Sequence, residues 1–108
     1  MNESQVIEAL GALAQETRLR MLRYLVTRGG EGAAAGEVAE AVGAASSRAS
    51  FHLSALASAG LITAERASRQ IIYRVEFGAM AALAGYLVQD CCQGDARVVA
   101  CCQTPDCC

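Results

Sequence analysis

The chain has 108 residues, 54% of them apolar, but 22 are alanine and six are cysteine, so bulky core-forming side chains are scarce. One domain of this size with so thin a core is expected to complete itself by pairing with a second copy. Charged residues make up 19%, proline occurs once and no apolar run approaches the ~18 residues of a membrane span, which excludes a transmembrane helix and a disordered chain. The polar start Met1-Asn2-Glu3-Ser4 lacks the basic and apolar blocks of a secretory leader, so a cytoplasmic location is expected.

The net charge of −2 argues mildly against nucleic acid, but the charge is segregated. Residues 17–30 carry four arginines and no acid, and residues 46–75 carry Arg48, Arg66, Arg69 and Arg74 against Glu65 alone. All nine basic residues are arginine, the side chain best shaped for bidentate contacts with phosphate and guanine.

In chain order, Val6, Leu10 and Leu13 predict an amphipathic helix over residues 4–14, and Leu19, Leu22 and Leu25/Val26 a second, stopped by Gly29-Gly30. A loop through Gly32 and Ala33 leads to a short helix at 35–42, and Gly43 forces a turn. Ser46 or Ser47 is the expected N-cap of the next helix, with Ala49, Leu53 and Leu56 inward and Gly60 as its stop. Residues 61–64 and 71–75 read as strands, the second with Ile71, Tyr73 and Val75 on one face, joined by a polar turn that carries Arg66 and Arg69. A final helix is expected at 77–90, with Met80, Leu83, Leu87 and Val88 on its stripe, and beyond Asp90 the tail reads as irregular. The order is that of a mainly α winged helix-turn-helix with a β-hairpin wing: residues 1–90 are expected to form a DNA-binding and dimerisation domain, and residues 91–108 a cysteine-rich sensing tail.

In such a domain the second helix of the motif enters the major groove. Measured from the inward stripe, Ser47 and Phe51 face away, with Arg48 and Ser50 beside them. Arg48 can donate twice to guanine, the serines Ser46, Ser47 and Ser50 can bond phosphate or base, and Arg66 and Arg69 can reach phosphates or a minor groove. His52, the one histidine, has no carboxylate or nucleophile nearby in sequence, so packing or phosphate contact is expected of it and catalysis is not. The arginines of residues 18–28 read as a solvated helix face with some phosphate contact.

All six cysteines lie in residues 91–108, as Cys91-Cys92, Cys101-Cys102 and Cys107-Cys108. A disulfide framework would spread its bridges through the fold, and adjacent cysteines bridge each other poorly, so the pairs read as soft thiolate ligands.

Over residues 14–77 the sequence resembles the ArsR/SmtB family of metal- and metalloid-responsive repressors. The resemblance rests on Glu16-Thr17-Arg18-Leu19-Arg20-Met21-Leu22, Gly36-Glu37-Val38-Ala39-Glu40, Ser50-Phe51-His52-Leu53 with Leu56 and Ala59-Gly60-Leu61-Ile62, and the wing segment Arg69 to Arg74. It implies a homodimer paired through its first and last helices that binds an inverted-repeat operator in double-stranded DNA and leaves it when a metal binds. One group of members uses a Cys-x-Cys in the helix before the reading helix, and another uses Asp/His and His/Glu pairs on the last helix; neither set is present here. Others carry a Cys-Cys after the last helix and a further cysteine beyond, which Cys91-Cys92 and Cys101 resemble. As(III) and Sb(III) prefer three thiolates and zinc or cadmium four ligands, so the expected inducer is As(III) or Sb(III) on Cys91, Cys92 and one of Cys101 and Cys102. A Cd, Zn or Pb sensor, a structural zinc clip and a thiol-rich metal-binding or redox-sensing protein are the alternatives. Cys107 and Cys108 read as an accessory thiol pair or a capture site.

Overall fold

The computed structural model describes the backbone of residues 1–103 and the side chains of residues 1–100. Helix α1 (Glu3–Leu13) starts in a reciprocal cap: the Asn2 carboxamide oxygen accepts the Gln5 N–H at 2.9 Å, and the Gln5 oxygen accepts the Asn2 N–H at 2.9 Å. Helix α2 (Glu16–Arg28) is capped by Gln15, whose side-chain oxygen accepts the Arg18 N–H, and stops at Gly29 in a 3-10 turn. Strand β1 (Ala33–Ala34) and helix α3 (Ala35–Val42) follow, and the Glu37 carboxylate accepts the Ala34 N–H at 3.1 Å. Gly43, left-handed at φ 69°, turns the chain into α4 (Ser46–Ser58).

The wing is the hairpin of β2 (Ile62–Ala67) and β3 (Gln70–Val75), turning at Ser68-Arg69 with Ser68 at φ 58°. It is longer than expected, so Arg66 sits in a strand and not in the turn. The short β1 was expected as loop, yet it pairs antiparallel with β3, Ala33 opposite Tyr73 and Ala34 opposite Ile72, giving a three-stranded sheet of order β1-β3-β2. At the hairpin base the Glu76 N–H donates to the Leu61 carbonyl at 2.9 Å.

Helix α5 (Phe77–Gly85) passes into a π-helical turn (Tyr86–Cys91), so the expected helix to residue 90 runs one residue further with a wider last turn. As far as Gln103 the tail is not irregular: Gln93 (φ 55°) and Gly94 (φ 67°) turn the chain, and α6 (Ala96–Gln103) begins where the Asp95 carboxylate accepts the Arg97 N–H at 2.8 Å, while residues 104–108 fall outside the described residues.

Met21, Leu25, Val38, Leu53, Leu56 and Leu61 are fully buried at the meeting of α2, α3, α4 and the sheet, with alanines filling the gaps between them. Each large side chain withdrawn from water contributes about 1.5–3 kcal/mol. Tyr73 and Val75 join this core, but Ile71 on the same strand face is 43% exposed because the core ends before the wing tip. Among the described residues no helix is long and apolar enough to cross a membrane.

Candidate nucleic-acid interface and cysteine segment

Helix α4 buries Ala49, Leu53 and Leu56 completely, and this stripe turns the opposite face to solvent. Ser46, Ser47, Arg48, Ser50 and Phe51 are all exposed, Phe51 by 66%. Neither Ser46 nor Ser47 is the N-cap: Ala45 takes the cap backbone geometry with no side-chain bond, and the two serines are the first helical residues. The cap position needs only an extended backbone, which Ala45 supplies after the Gly43 turn. Both hydroxyls and the first-turn amides are thereby left for an outside acceptor or donor.

The arginines divide by their partners. Arg20 pairs with Glu16, Arg28 with Glu31 and Glu37, Arg74 with Glu65 and Arg97 with Asp95. Among the described residues no carboxylate lies within ion-pair distance of Arg48, Arg66 or Arg69, and Arg66 and Arg69 stand exposed at the wing tip. A polar groove of about 500 Å³ runs beside the start of α4, lined by Gln15, Thr17 and Arg20 from the α2 side and by Arg48 and His52 from α4.

His52 is half-buried, and its Nδ1 accepts the Arg18 Nε–H at 3.0 Å. Burial, then the nearby charges of Arg18 and Arg48, holds its pKa below the ordinary 6.5, so the neutral ring is favoured. Arg18 also places its guanidinium carbon 5.7 Å from the centre of the Phe51 ring, which meets the His52 ring edge-on at 5.7 Å and 67°. The solvated role expected for Arg18 is therefore wrong: it is half-buried and engaged by two residues of α4. No sequence signal marks this contact, because 34 positions separate Arg18 from His52.

At the other end of the fold, Cys91 closes the π turn and is exposed, and Cys92 caps it half-buried; both are free thiols. The Cys92 N–H donates to the Leu87 carbonyl at 3.1 Å, and the Gly94 N–H to the Val88 carbonyl at 2.8 Å. The Tyr86 hydroxyl is held above its ordinary 10.0 by burial and then by the charges of Glu3, Cys91 and Asp90. Arg97 clasps the Asp95 carboxylate at 3.0 Å through Nε, which lowers the Asp95 pKa. Cys101 and Cys102 lie in α6, but their side chains, with Cys107 and Cys108 entirely, fall outside the described residues. Among the described residues no three His, Cys, Asp or Glu side chains are grouped to hold a metal ion.

A duplex asks of a protein a helix narrow enough for its groove and positive or hydroxyl-bearing groups at its phosphates. The exposed face of α4, with the unpaired wing arginines Arg66 on β2 and Arg69 in the turn, meets both demands, and the class is the winged helix-turn-helix DNA-binding domain. Residues 13–65 match a family model described as a helix-turn-helix domain. Among solved structures, an ArsR-like transcriptional regulator from Rhodococcus sp. RHA1 is 26% identical, with a TM-score of 0.73 over 93% of this chain and 92% of that one. A homodimeric winged helix-turn-helix DNA-binding domain from Mycobacterium bovis, described as a possible ArsR-family transcriptional regulator, is 30% identical, with a TM-score of 0.62 over 81% and 84% of the two chains. The transcriptional repressor BigR from Xylella fastidiosa is 26% identical, with a TM-score of 0.60 over 79% and 85%. The chain belongs to the ArsR family of transcriptional regulators. No curated protein matches it in sequence.

Proposed function

We propose that this regulator is a homodimeric repressor that leaves its operator when As(III) or Sb(III) is captured by the thiolates of Cys91, Cys92 and one of Cys101 and Cys102. The observation that carries this reading is the placement of two adjacent free thiols, Cys91 and Cys92, at the end of the π turn that extends α5. Soft pyramidal ions suit thiolates, and the pair supplies two of them side by side. Cys101 and Cys102 lie in α6, so the third thiolate comes from that segment of the same chain or of the second subunit.

Residues 1–90 read DNA and pair, and residues 91–108 sense. Ser46, Ser47, Arg48, Ser50, Phe51 and His52 face the major groove of an inverted-repeat operator, and Arg66 and Arg69 face its backbone. Pairing through α1 and α5 sets the spacing of the two reading helices against half-sites about 34 Å apart. Metalloid capture at the end of α5 alters that spacing and releases the DNA. A DNA-bound regulator of this kind works in the cytoplasm.

The test is operator release titrated with arsenite, antimonite, Cd(II) and Zn(II), on the reduced wild type and on single Cys→Ser variants at 91, 92, 101 and 102. Release by arsenite or antimonite that is lost with Cys91→Ser and Cys92→Ser supports the reading. Response to Cd(II) or Zn(II) alone reassigns the effector, and response to oxidant alone makes the tail a redox sensor.

A further inference from the structure

Phe51 is the oddity of the reading face, a large apolar ring held 66% in water on a helix otherwise lined with serine and arginine. We propose that Arg18, on a different helix, is a positioning residue for DNA recognition: it fixes the tautomer of His52 and the orientation of the Phe51 ring, and does not itself contact phosphate. The proposal rests on the DNA-binding reading of α4.

The geometry is specific. A guanidinium is always protonated and only donates, so the 3.0 Å bond from Arg18 Nε requires a lone pair on His52 Nδ1. The single imidazole proton must then sit on Nε2, leaving that nitrogen as an N–H donor of defined direction. The same guanidinium, 5.7 Å from the Phe51 centroid, is within cation–π range of the ring, and the His52 ring braces Phe51 from its edge. Arg18 is placed in turn by the Gln15 side chain, which accepts its backbone N–H at 2.9 Å. Two neighbouring residues of α4 are thus oriented by one residue of α2, presenting an apolar ring beside an N–H donor. In the major groove that pair matches a thymine methyl next to a hydrogen-bond acceptor.

The experiment uses the full chain and the duplex it selects from a random-sequence library. Nitrogen-15 NMR of the free wild type should show His52 as the Nε2–H tautomer, and Arg18→Gln should lose that preference. Arg18→Gln should weaken binding by up to about tenfold, the strengths of one exposed cation–π contact and one hydrogen bond setting the ceiling on the preorganisation that is lost. Its salt dependence should match the wild type. Replacing one thymine by uracil, which removes only the methyl, should weaken wild-type binding and leave Arg18→Gln and Phe51→Ala unaffected. In a Phe51→Ala/His52→Asn background Arg18→Gln should have little further effect, and Arg18→Lys, which keeps the cation, should recover part of the affinity.

An Nδ1–H tautomer in the wild type overturns the proposal. So does a salt slope that falls by about 0.9 with additive loss in the double background, which makes Arg18 a phosphate contact. A wild type that selects no duplex overturns the DNA-binding reading itself, and the tautomer measurement, made without DNA, tells the two failures apart.

Discussion

Gly32 lies against the backbone of Tyr73 so closely that a Cβ on it would collide with the Tyr73 carbonyl oxygen and crowd the side chains of Arg74 and Ile72. Its φ of 66° also falls in the left-handed region. Gly32→Ala is therefore expected to destabilise the fold by about 2 kcal/mol or more, lowering the thermal midpoint. Gly36→Ala, in a helical position with nothing near its Cβ, should instead raise stability by about 0.5 kcal/mol. Equal midpoints for the two variants would show that the loop after α2 can shift away from the wing.

Leu53 is fully buried on the inward face of α4. Leu53→Ala should cost about 3 kcal/mol in chemical denaturation, the price of the lost transfer energy and of the cavity left behind. Ser54→Ala, at the next and exposed position, should move the denaturation midpoint hardly at all.

The lowered pKa of His52 makes stability depend on pH with a definite sign. The unfolded chain takes up a proton as pH drops below 6.5, while the folded ring, hampered by burial and by Arg18 and Arg48, resists until lower pH. The His52 contribution is therefore fully present above pH 6.5 and is lost as pH falls through the lowered folded value. Thermal midpoints measured from pH 7.5 to 5 should fall more steeply for the wild type than for His52→Gln.

On α1, Ile7 is 63% exposed and Leu10 42%, and Leu87 on the π turn is 37% exposed. These are the side chains that pairing through α1 and α5 would cover. Ile7→Glu should keep its circular dichroism, sediment as a monomer and bind a full inverted repeat about 100-fold more weakly, because the second half-site no longer adds. A dimer that survives this change would place the pairing face elsewhere.

The periodic elements were legible in the residues because each carries its own signal. The short helix before the turn has Val38 and Val42 at helical spacing and a glycine after it, and its bounds of 35 and 42 are those of the structure. What was hidden is non-local or carries no pattern. Two alanines cannot announce a strand, and β1 exists only because Tyr73 and Ile72 are there to pair with it. Ile71 alternates correctly, yet its exposure depends on where the core stops. Helix α6 owes its start to the Asp95 bond and the Gln93-Gly94 reversal, while the cysteines that follow have no periodicity to advertise it. The exposed face of α4 followed from the stripe of Ala49, Leu53 and Leu56, but the engagement of Phe51 and His52 by Arg18 depends on how α2 crosses α4.

The third strand ends partway along the hairpin. Its last pair, Ala34 with Ile72, stands level with Glu65, and beyond that rung only Arg66 with Ile71 and Ala67 with Gln70 remain before the turn. The wing is thus a cantilever: its root is clamped on one side by β1 and by the Arg74 bond to the Gly30 carbonyl, and its outer two rungs overhang without a third strand. Arg66 and Arg69 both ride on the overhang. In the proposed complex, bending about the clamped rung would let them follow the local width of a groove without moving the helices.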